Sequence, residues 1–272
     1  MKFIKQLFNF YINSSIHVAL AVYSLTWITL LELGLEYNES VVYFVFYASI
    51  TGYNFVKYFG IAKFHHKQLA NWLRLIQILS FICFILMCFY AYQLHLKTLV
   101  FIVGFAALTF LYAIPFSSKQ VYTLRSIGGL KIYIIALVWS GVTVLLPTVN
   151  EDIRINNDII LLGFQRFIYV LVLMLPFEIR DLKFDSLKLL TIPQRIGVKN
   201  TKRVGVLLLI LFFFLEFFKD ELDANQIIVL AIITIMTLLV LLNSKIKQGH
   251  YYSSFWVEGL PILWLILLLV FN

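Results

Sequence analysis

Three carboxylates stand close together in an otherwise apolar chain, at Glu178, Asp181 and Asp185. Residues three and four apart lie on the same face of an α-helix, so all three side chains are expected to project from one face. Arg180 and Lys183 lie within the same short stretch. Carboxylates and cations together suit a Mg²⁺ ion that bridges to a phosphate or diphosphate group. A solvated, salt-bridged helix end is the alternative interpretation.

The composition of the chain defines the elements that must position these residues. Its 272 residues are 61% hydrophobic and only 13% charged, with a mean hydropathy of +0.90, which excludes an ordinary soluble domain. Apolar runs near membrane-spanning length recur at roughly 16–35, 40–60, 75–93, 98–115, 131–149, 159–178, 204–218, 226–243 and 255–271. Because lipid offers no hydrogen bonds to the backbone, they predict an all-α, polytopic membrane bundle of about nine transmembrane helices. Residues 1–272 form a single domain in this interpretation, with an interfacial helix at 3–12.

The distribution of charge predicts the orientation of the bundle. If the nine runs cross the membrane alternately, most of the 22 Lys and Arg residues fall on the side of the N-terminus. Most of the acids fall on the opposite side. The positive-inside rule then places the N-terminus in the cytoplasm and the C-terminus on the outer side. The net charge of +8 is explained by this topology and by anionic lipid headgroups, so we expect no nucleic-acid partner.

Residues 176–205 resemble the second aspartate-rich region of UbiA-type intramembrane prenyltransferases. That family pairs a DxxD or DxxxD cluster with a Thr-x-Pro-x-x-x-Gly segment, and the matching positions here are Asp181, Asp185, Thr191, Pro193 and Gly197. An earlier region resembles the family's stretch from the fourth helix through the fifth, with matches at Tyr112-Ala-Ile-Pro115, Leu124-Arg125, Lys131, Val138-Trp139 and Leu146-Pro147. The match is specific over the first of these regions and weaker elsewhere.

The resemblance implies a UbiA-like fold and a reaction. Such an enzyme transfers a polyprenyl group from its diphosphate to a lipophilic acceptor within the bilayer. It implies Mg²⁺ as the cofactor, held by Asp181 and Asp185, with Glu178 as a weaker third ligand. Lys57 joins the two aspartates as a candidate catalytic residue. The candidate substrate-binding residues are Asn54, Tyr112, Lys119 and Arg125.

The first aspartate-rich cluster of the family is degenerate in this chain. Asn54 aligns with the family's asparagine, but the positions of the aspartates hold Phe55, Tyr58 and Ala62. No carboxylate occurs between Glu39 and Glu151. Since active members hold the diphosphate between two acidic clusters, half of the expected metal ligands are missing.

Three hypotheses follow from this departure, and the sequence favours the first. The chain is a prenyltransferase with one Mg²⁺ ion, in which Lys57, Lys63 and His65 contact the phosphate directly. Alternatively, it binds a prenyl diphosphate or another anionic lipid without turnover, or it serves as a membrane interaction protein. A secondary transporter is disfavoured because Arg166 and Glu216 lie near the ends of their runs rather than at the membrane centre.

Three further residues carry expectations about structure. Pro176 is expected to break or end the sixth transmembrane helix just before the acidic cluster. Arg166 is expected to snorkel or to pair with an acid. Glu258 opens the ninth run and either faces the site or pairs with Lys245 or Lys247.

Overall fold

The computed structural model describes residues 2–64, 71–113, 129–183 and 190–271, and every regular element within them is helical. The α-helices are α1 (Lys2–Asn13), α2 (Ile16–Glu32), α3 (Glu39–Phe64), α4 (Asn71–Ala91), α5 (Leu96–Ala113), α6 (Leu130–Ser140), α7 (Leu146–Asn150), α8 (Asn157–Asp181), α9 (Ile192–Phe214), α10 (Ala224–Asn243) and α11 (Leu260–Phe271). A π-helical segment, Gly141–Leu145, joins α6 to α7, and another, Tyr252–Val257, precedes α11.

The nine predicted runs correspond to nine helical segments in the described part of the chain. They are α2, α3, α4, α5, the continuous α6–α7, α8, α9, α10 and the segment ending in α11. Five of these segments are long and apolar enough to span a membrane by themselves, and the bent pair α1–α2 makes a sixth. The axis bends by 53° between α1 and α2, as expected for an interfacial helix that leads into a span. The predicted all-α bundle is therefore confirmed.

Helices α2 and α8 form the centre of the bundle. Helix α2 packs against α3 and α11, while α8 packs against α6 and α9. Buried side chains such as Leu25, Ile28 and Tyr169 fill the core between them. Large apolar side chains on α4, α5 and α10 point outwards instead, which is the arrangement expected of helices that face lipid.

The prediction that Pro176 breaks or ends the sixth transmembrane helix is wrong. Helix α8 continues through Pro176 to Asp181. Proline removes one backbone hydrogen bond, but packed neighbours in a membrane bundle supply other partners. Here Gln248 Nε2 donates to the Pro176 carbonyl at 2.8 Å. The acidic cluster therefore begins on an unbroken helix, so Glu178 and Asp181 share its rigid frame.

A break occurs instead at Gly197 in α9. Its φ of +76° and ψ of 160° interrupt the helix between the turn that begins at Ile192 and the long segment that follows. Only glycine adopts this conformation without strain. The break orients the Thr191–Gly197 segment over the end of α8.

Candidate functional site

Asp181, the last residue of α8, lies between two cations. Arg180 Nε donates to Asp181 Oδ1 at 2.8 Å, and Lys131 Nζ of α6 lies 3.6 Å from Asp181 Oδ2. The side chains of Asp181 and Lys131 are each 20% exposed, so they form a partly accessible pair. The Arg180 guanidinium also lies 5.1 Å from the centre of the Phe177 ring. The end of the bundle that holds these residues is called the Asp181 end below.

Glu178 lies one turn below Asp181 and is buried, with 2% of its surface exposed. Its Oε2 accepts a hydrogen bond from the backbone N–H of Ile192 at 3.2 Å. A carboxylate at a helix N-terminus is stabilised by the free N–H groups there. Glu178 thus joins the end of α8 to the start of α9. Its predicted role as a metal ligand stays a prediction.

Two further charged residues reach the same end from other helices. Lys57 of α3 donates to the Asn13 carbonyl at 3.1 Å and lies 5.3 Å from the centre of the Tyr58 ring. Glu258, which precedes α11, lies within electrostatic range of both Lys57 and Arg180. Positive and negative side chains therefore alternate across this end of the bundle, in the order Lys57, Glu258, Arg180, Asp181 and Lys131. These five residues are called the charged rim.

Aromatic side chains lie beneath the charged rim. Trp139 Nε1 of α6 donates to the Tyr53 hydroxyl of α3 at 2.7 Å. Tyr53 lies one turn, about 6 Å, inward from Lys57, and Trp139 lies about 12 Å inward from Lys131. Tyr53 is within electrostatic range of Tyr112 and of Glu258 in the rim. Tyr53 and Trp139, together with Tyr112 near the end of α5, are called the aromatic floor.

Asn54, predicted to bind substrate, is held by the protein itself. Its Nδ2 donates to the Ser14 carbonyl at 3.0 Å and to Ser80 Oγ at 2.8 Å, while its Oδ1 accepts from Ser15 Oγ at 2.8 Å. Both amide N–H groups are therefore used to join α3 to the α1–α2 bend and to α4. Its contact with a substrate stays a prediction, and it would require these bonds to rearrange.

The positions of the degenerate first cluster are filled by packing contacts. Phe55 stacks on Phe110 of α5, with ring centres 6.2 Å apart, and the Tyr58 hydroxyl donates to the Asn13 carbonyl at 2.7 Å. Helix α3 thus contributes a lysine and a tyrosine to the site. In the described residues it contributes no carboxylate there.

The structure brings together part of the predicted site. Lys57, Asp181 and Tyr112 belong to one rim and floor, and Glu178 lies directly beneath the same helix end. Asp185, Lys119 and Arg125 lie outside the described residues, as does His65. Among the residues that are described, no group of three potential metal ligands occurs, so the Mg²⁺ hypothesis depends on Asp185.

Sequence reasoning did not place Tyr53, Trp139, Arg180, Lys131 and Glu258 in one constellation. Two signals point to them. Tyr53 and Lys57 have the i, i+4 spacing of one helix face. Glu258 is an acid within an apolar run, which is unusual unless the residue has a partner or a role.

A groove elsewhere on the bundle is less suited to chemistry. A groove of about 460 Å³ lies at the opposite end of the bundle, between Phe101, Val149, Lys97 and Asp152. Its charged groups already pair, since Lys97 Nζ lies 2.7 Å from Asp152 Oδ1. The hydrogen bond and the charge of Lys97 lower the pKa of the Asp152 carboxyl. The remaining walls are apolar, as expected where lipid covers the surface.

The fold is similar to that of a solved membrane protein, a digeranylgeranylglyceryl phosphate synthase. The two chains are 17% identical with a TM-score of 0.59, and the match covers 98% of this chain and 97% of that one. No family model and no curated protein matches the chain. At this identity the likeness shows the fold alone: an integral, multi-pass helical membrane bundle similar to that of the synthase.

Proposed function

We propose that this protein is a UbiA-like membrane prenyltransferase that moves a polyprenyl group from its diphosphate to a lipophilic acceptor. The observation that carries the proposal is the charged rim directly above the aromatic floor, at one end of a membrane bundle. A prenyl diphosphate has the same two parts, an anionic head and an apolar chain. The likeness to a digeranylgeranylglyceryl phosphate synthase supports geranylgeranyl diphosphate as the first donor to test.

The reaction requires the site to stabilise charge of both signs. The allylic C–O bond breaks, and its electron pair leaves with the diphosphate. A bond forms between the prenyl carbon and the acceptor, which loses a proton. Lys57, Arg180 and Lys131 are placed to stabilise the leaving diphosphate. Tyr53, Trp139 and Tyr112 exclude water and stabilise the allylic cation with their ring faces.

We propose Mg²⁺ as the cofactor, held by Asp181 and Asp185. It supplies a Lewis acid that neutralises diphosphate oxygens. Asp181 fits this role, because its carboxylate is partly exposed and lies between two cations, Arg180 and Lys131. Glu178 fits less well, since it is buried and already accepts a backbone N–H. Direct contact between Lys57 and the phosphate compensates for the missing first cluster.

A second function is supported by a specific observation. The absence of any carboxylate between Glu39 and Glu151 removes the first acidic cluster of the family. The same rim and floor then suit a pseudoenzyme that binds a prenyl diphosphate or another anionic lipid without turnover. A third function, as an interaction protein in the membrane, requires neither ligand binding nor turnover.

The deciding experiment uses the purified full chain in lipid nanodiscs. Geranylgeranyl diphosphate and longer prenyl diphosphates are added with a membrane lipid extract as the source of acceptor, with and without Mg²⁺. Pyrophosphate release is measured in parallel with binding. Mg²⁺-dependent release supports the enzyme, and saturable binding without release supports the pseudoenzyme. If neither binding nor release is detected, the enzyme and the pseudoenzyme are both contradicted, and an interaction role is favoured.

A further inference from the structure

A second polar cluster lies deep in the opposite half of the bundle. Arg166 of α8 is 1% exposed and lies about 13 Å along the helix from its start. Its Nη2 lies 3.5 Å from Glu32 Oε2 and donates to Thr29 Oγ1 at 3.3 Å, both on α2. Its guanidinium lies 4.9 Å from the centre of the Trp264 ring on α11. Arg166 is therefore buried and paired with an acid, which is one of the two arrangements that the sequence predicts.

A second ion pair extends this cluster. Gln165 Nε2 donates to Glu216 Oε2 at 3.0 Å, and Lys219 Nζ lies 2.8 Å from the same oxygen. Lys219 and Glu216 are within electrostatic range of Glu32, so the two pairs belong together. Glu32, Arg166, Glu216 and Lys219 are called the buried cluster. Its two acids and two bases sum to no net charge.

Several polar atoms of the buried cluster lack hydrogen-bond partners. In the described part of the chain, Arg166 Nε and Nη1 and Glu32 Oε2 have no hydrogen bond, although each is shielded from solvent. An unsatisfied buried group costs about 1–3 kcal/mol, and a charged group costs more. Native proteins avoid this cost by placing ordered water beside such groups.

The chemistry of these atoms selects the ligand. Arg166 offers N–H donors and Glu32 offers an acceptor, so the ligand must both accept and donate hydrogen bonds. An anion would meet Glu32 and Glu216, while a cation would meet Arg166 and Lys219. Water satisfies both requirements and carries no charge.

The exposure of the cluster indicates the route of entry. The Lys219 side chain is 10% exposed and that of Glu32 is 8% exposed, while Arg166 is 0% exposed. Access therefore decreases from the end of the bundle opposite Asp181 towards Arg166. We infer that the buried cluster is a hydration site, in which water molecules bind Arg166 and Glu32 and exchange past Lys219.

Hydroxyl-radical footprinting by brief X-ray exposure tests this inference on the full chain in nanodiscs. Radicals formed from bound water label the nearest side chains, and Trp264 is placed to report although it is only 2% exposed. Cys83 is the control, since it is equally buried at 2%, reacts readily with radicals and packs against Ala19 and Ile50 in an apolar cluster. We expect Trp264 to be labelled severalfold faster than Cys83. Equal, slow labelling of both residues would overturn the inference.

A double variant, Arg166→Met with Glu32→Gln, tests whether the cluster itself holds the water. It removes both charges together, so no unpaired ion is left behind. We expect the labelling of Trp264 to fall to the level of Cys83. If Trp264 is still labelled at the wild-type rate, the water is held by another group and the proposed hydration site is rejected. The wild-type measurement stands even if the double variant does not fold.

Discussion

Lys57 is the main difference between this site and a site built from two acidic clusters. It lies on α3, in the stretch that the sequence resemblance aligns with the first acidic cluster, and it is within electrostatic range of Glu258. In the proposed mechanism, Lys57 supplies a positive charge directly to a phosphate oxygen. Its replacement therefore tests whether a cation takes the place of the first acidic cluster.

Replacing Lys57 with Met is expected to weaken the binding of geranylgeranyl diphosphate. A hydrogen bond to a charged group contributes about 1.5–3 kcal/mol, which corresponds to a loss of roughly tenfold or more in affinity. Binding is measured by isothermal titration in nanodiscs. Lys97→Met is the matched control, because Lys97 pairs with Asp152 at the far end of the bundle. Equal affinities of both variants would remove Lys57 from the site.

At the scale of the element, Gly197 sets the direction in which α9 leaves the site. A Cβ at Gly197 would meet no atom within 4 Å, so the cost of a side chain there comes from the backbone alone. The positive φ is what an L-residue resists.

Gly197→Ala is therefore expected to destabilise the protein by about 1–2 kcal/mol. Thermal unfolding followed by tryptophan fluorescence measures the effect. Gly104→Ala in α5 is the control, because Gly104 also has open space around it but has an ordinary helical φ. A melting temperature that falls equally in both variants would contradict the assignment of the break to backbone conformation.

The elements show what can be predicted from sequence. The nine runs located the nine helical segments, because lipid requires long apolar helices and hydropathy records them directly. Pro176 was misassigned, since a proline rule derived from isolated helices ignores the partner that Gln248 supplies. The internal bonds of Asn54 and the neighbours of Glu258 depend on which helices meet, and one sequence does not contain that information.

At the scale of the whole molecule, the buried cluster joins α2, α8 and the short segment after α9, and it packs against Trp264 of α11, in the half of the bundle that faces away from the site. The site occupies the other half and draws on α3, α6, α8 and the segment before α11. Helix α8 links the two halves, with Arg166 and Asp181 fifteen residues apart on one unbroken helix. Changes in the buried cluster therefore act mainly on stability.

Arg166→Met alone is expected to destabilise the bundle by about 3–5 kcal/mol, because it removes the cation that lies 3.5 Å from the buried Glu32 carboxylate. Adding Glu32→Gln should restore much of that loss, since the pair is removed as a unit. The measurement is the free energy of unfolding of both single variants and the double variant in mixed micelles. Additive losses would show that the two residues do not interact.

The central claim is that Asp181 and its neighbouring cations bind the anionic head of a prenyl diphosphate. The most direct measurement is the affinity of the wild type and Asp181→Asn for geranylgeranyl diphosphate, with Mg²⁺ and with chelator, beside Asp152→Asn as a control. We predict that Mg²⁺ tightens binding by the wild type and by Asp152→Asn, and that Asp181→Asn loses this dependence. Unchanged Mg²⁺-dependent binding by Asp181→Asn would contradict the account.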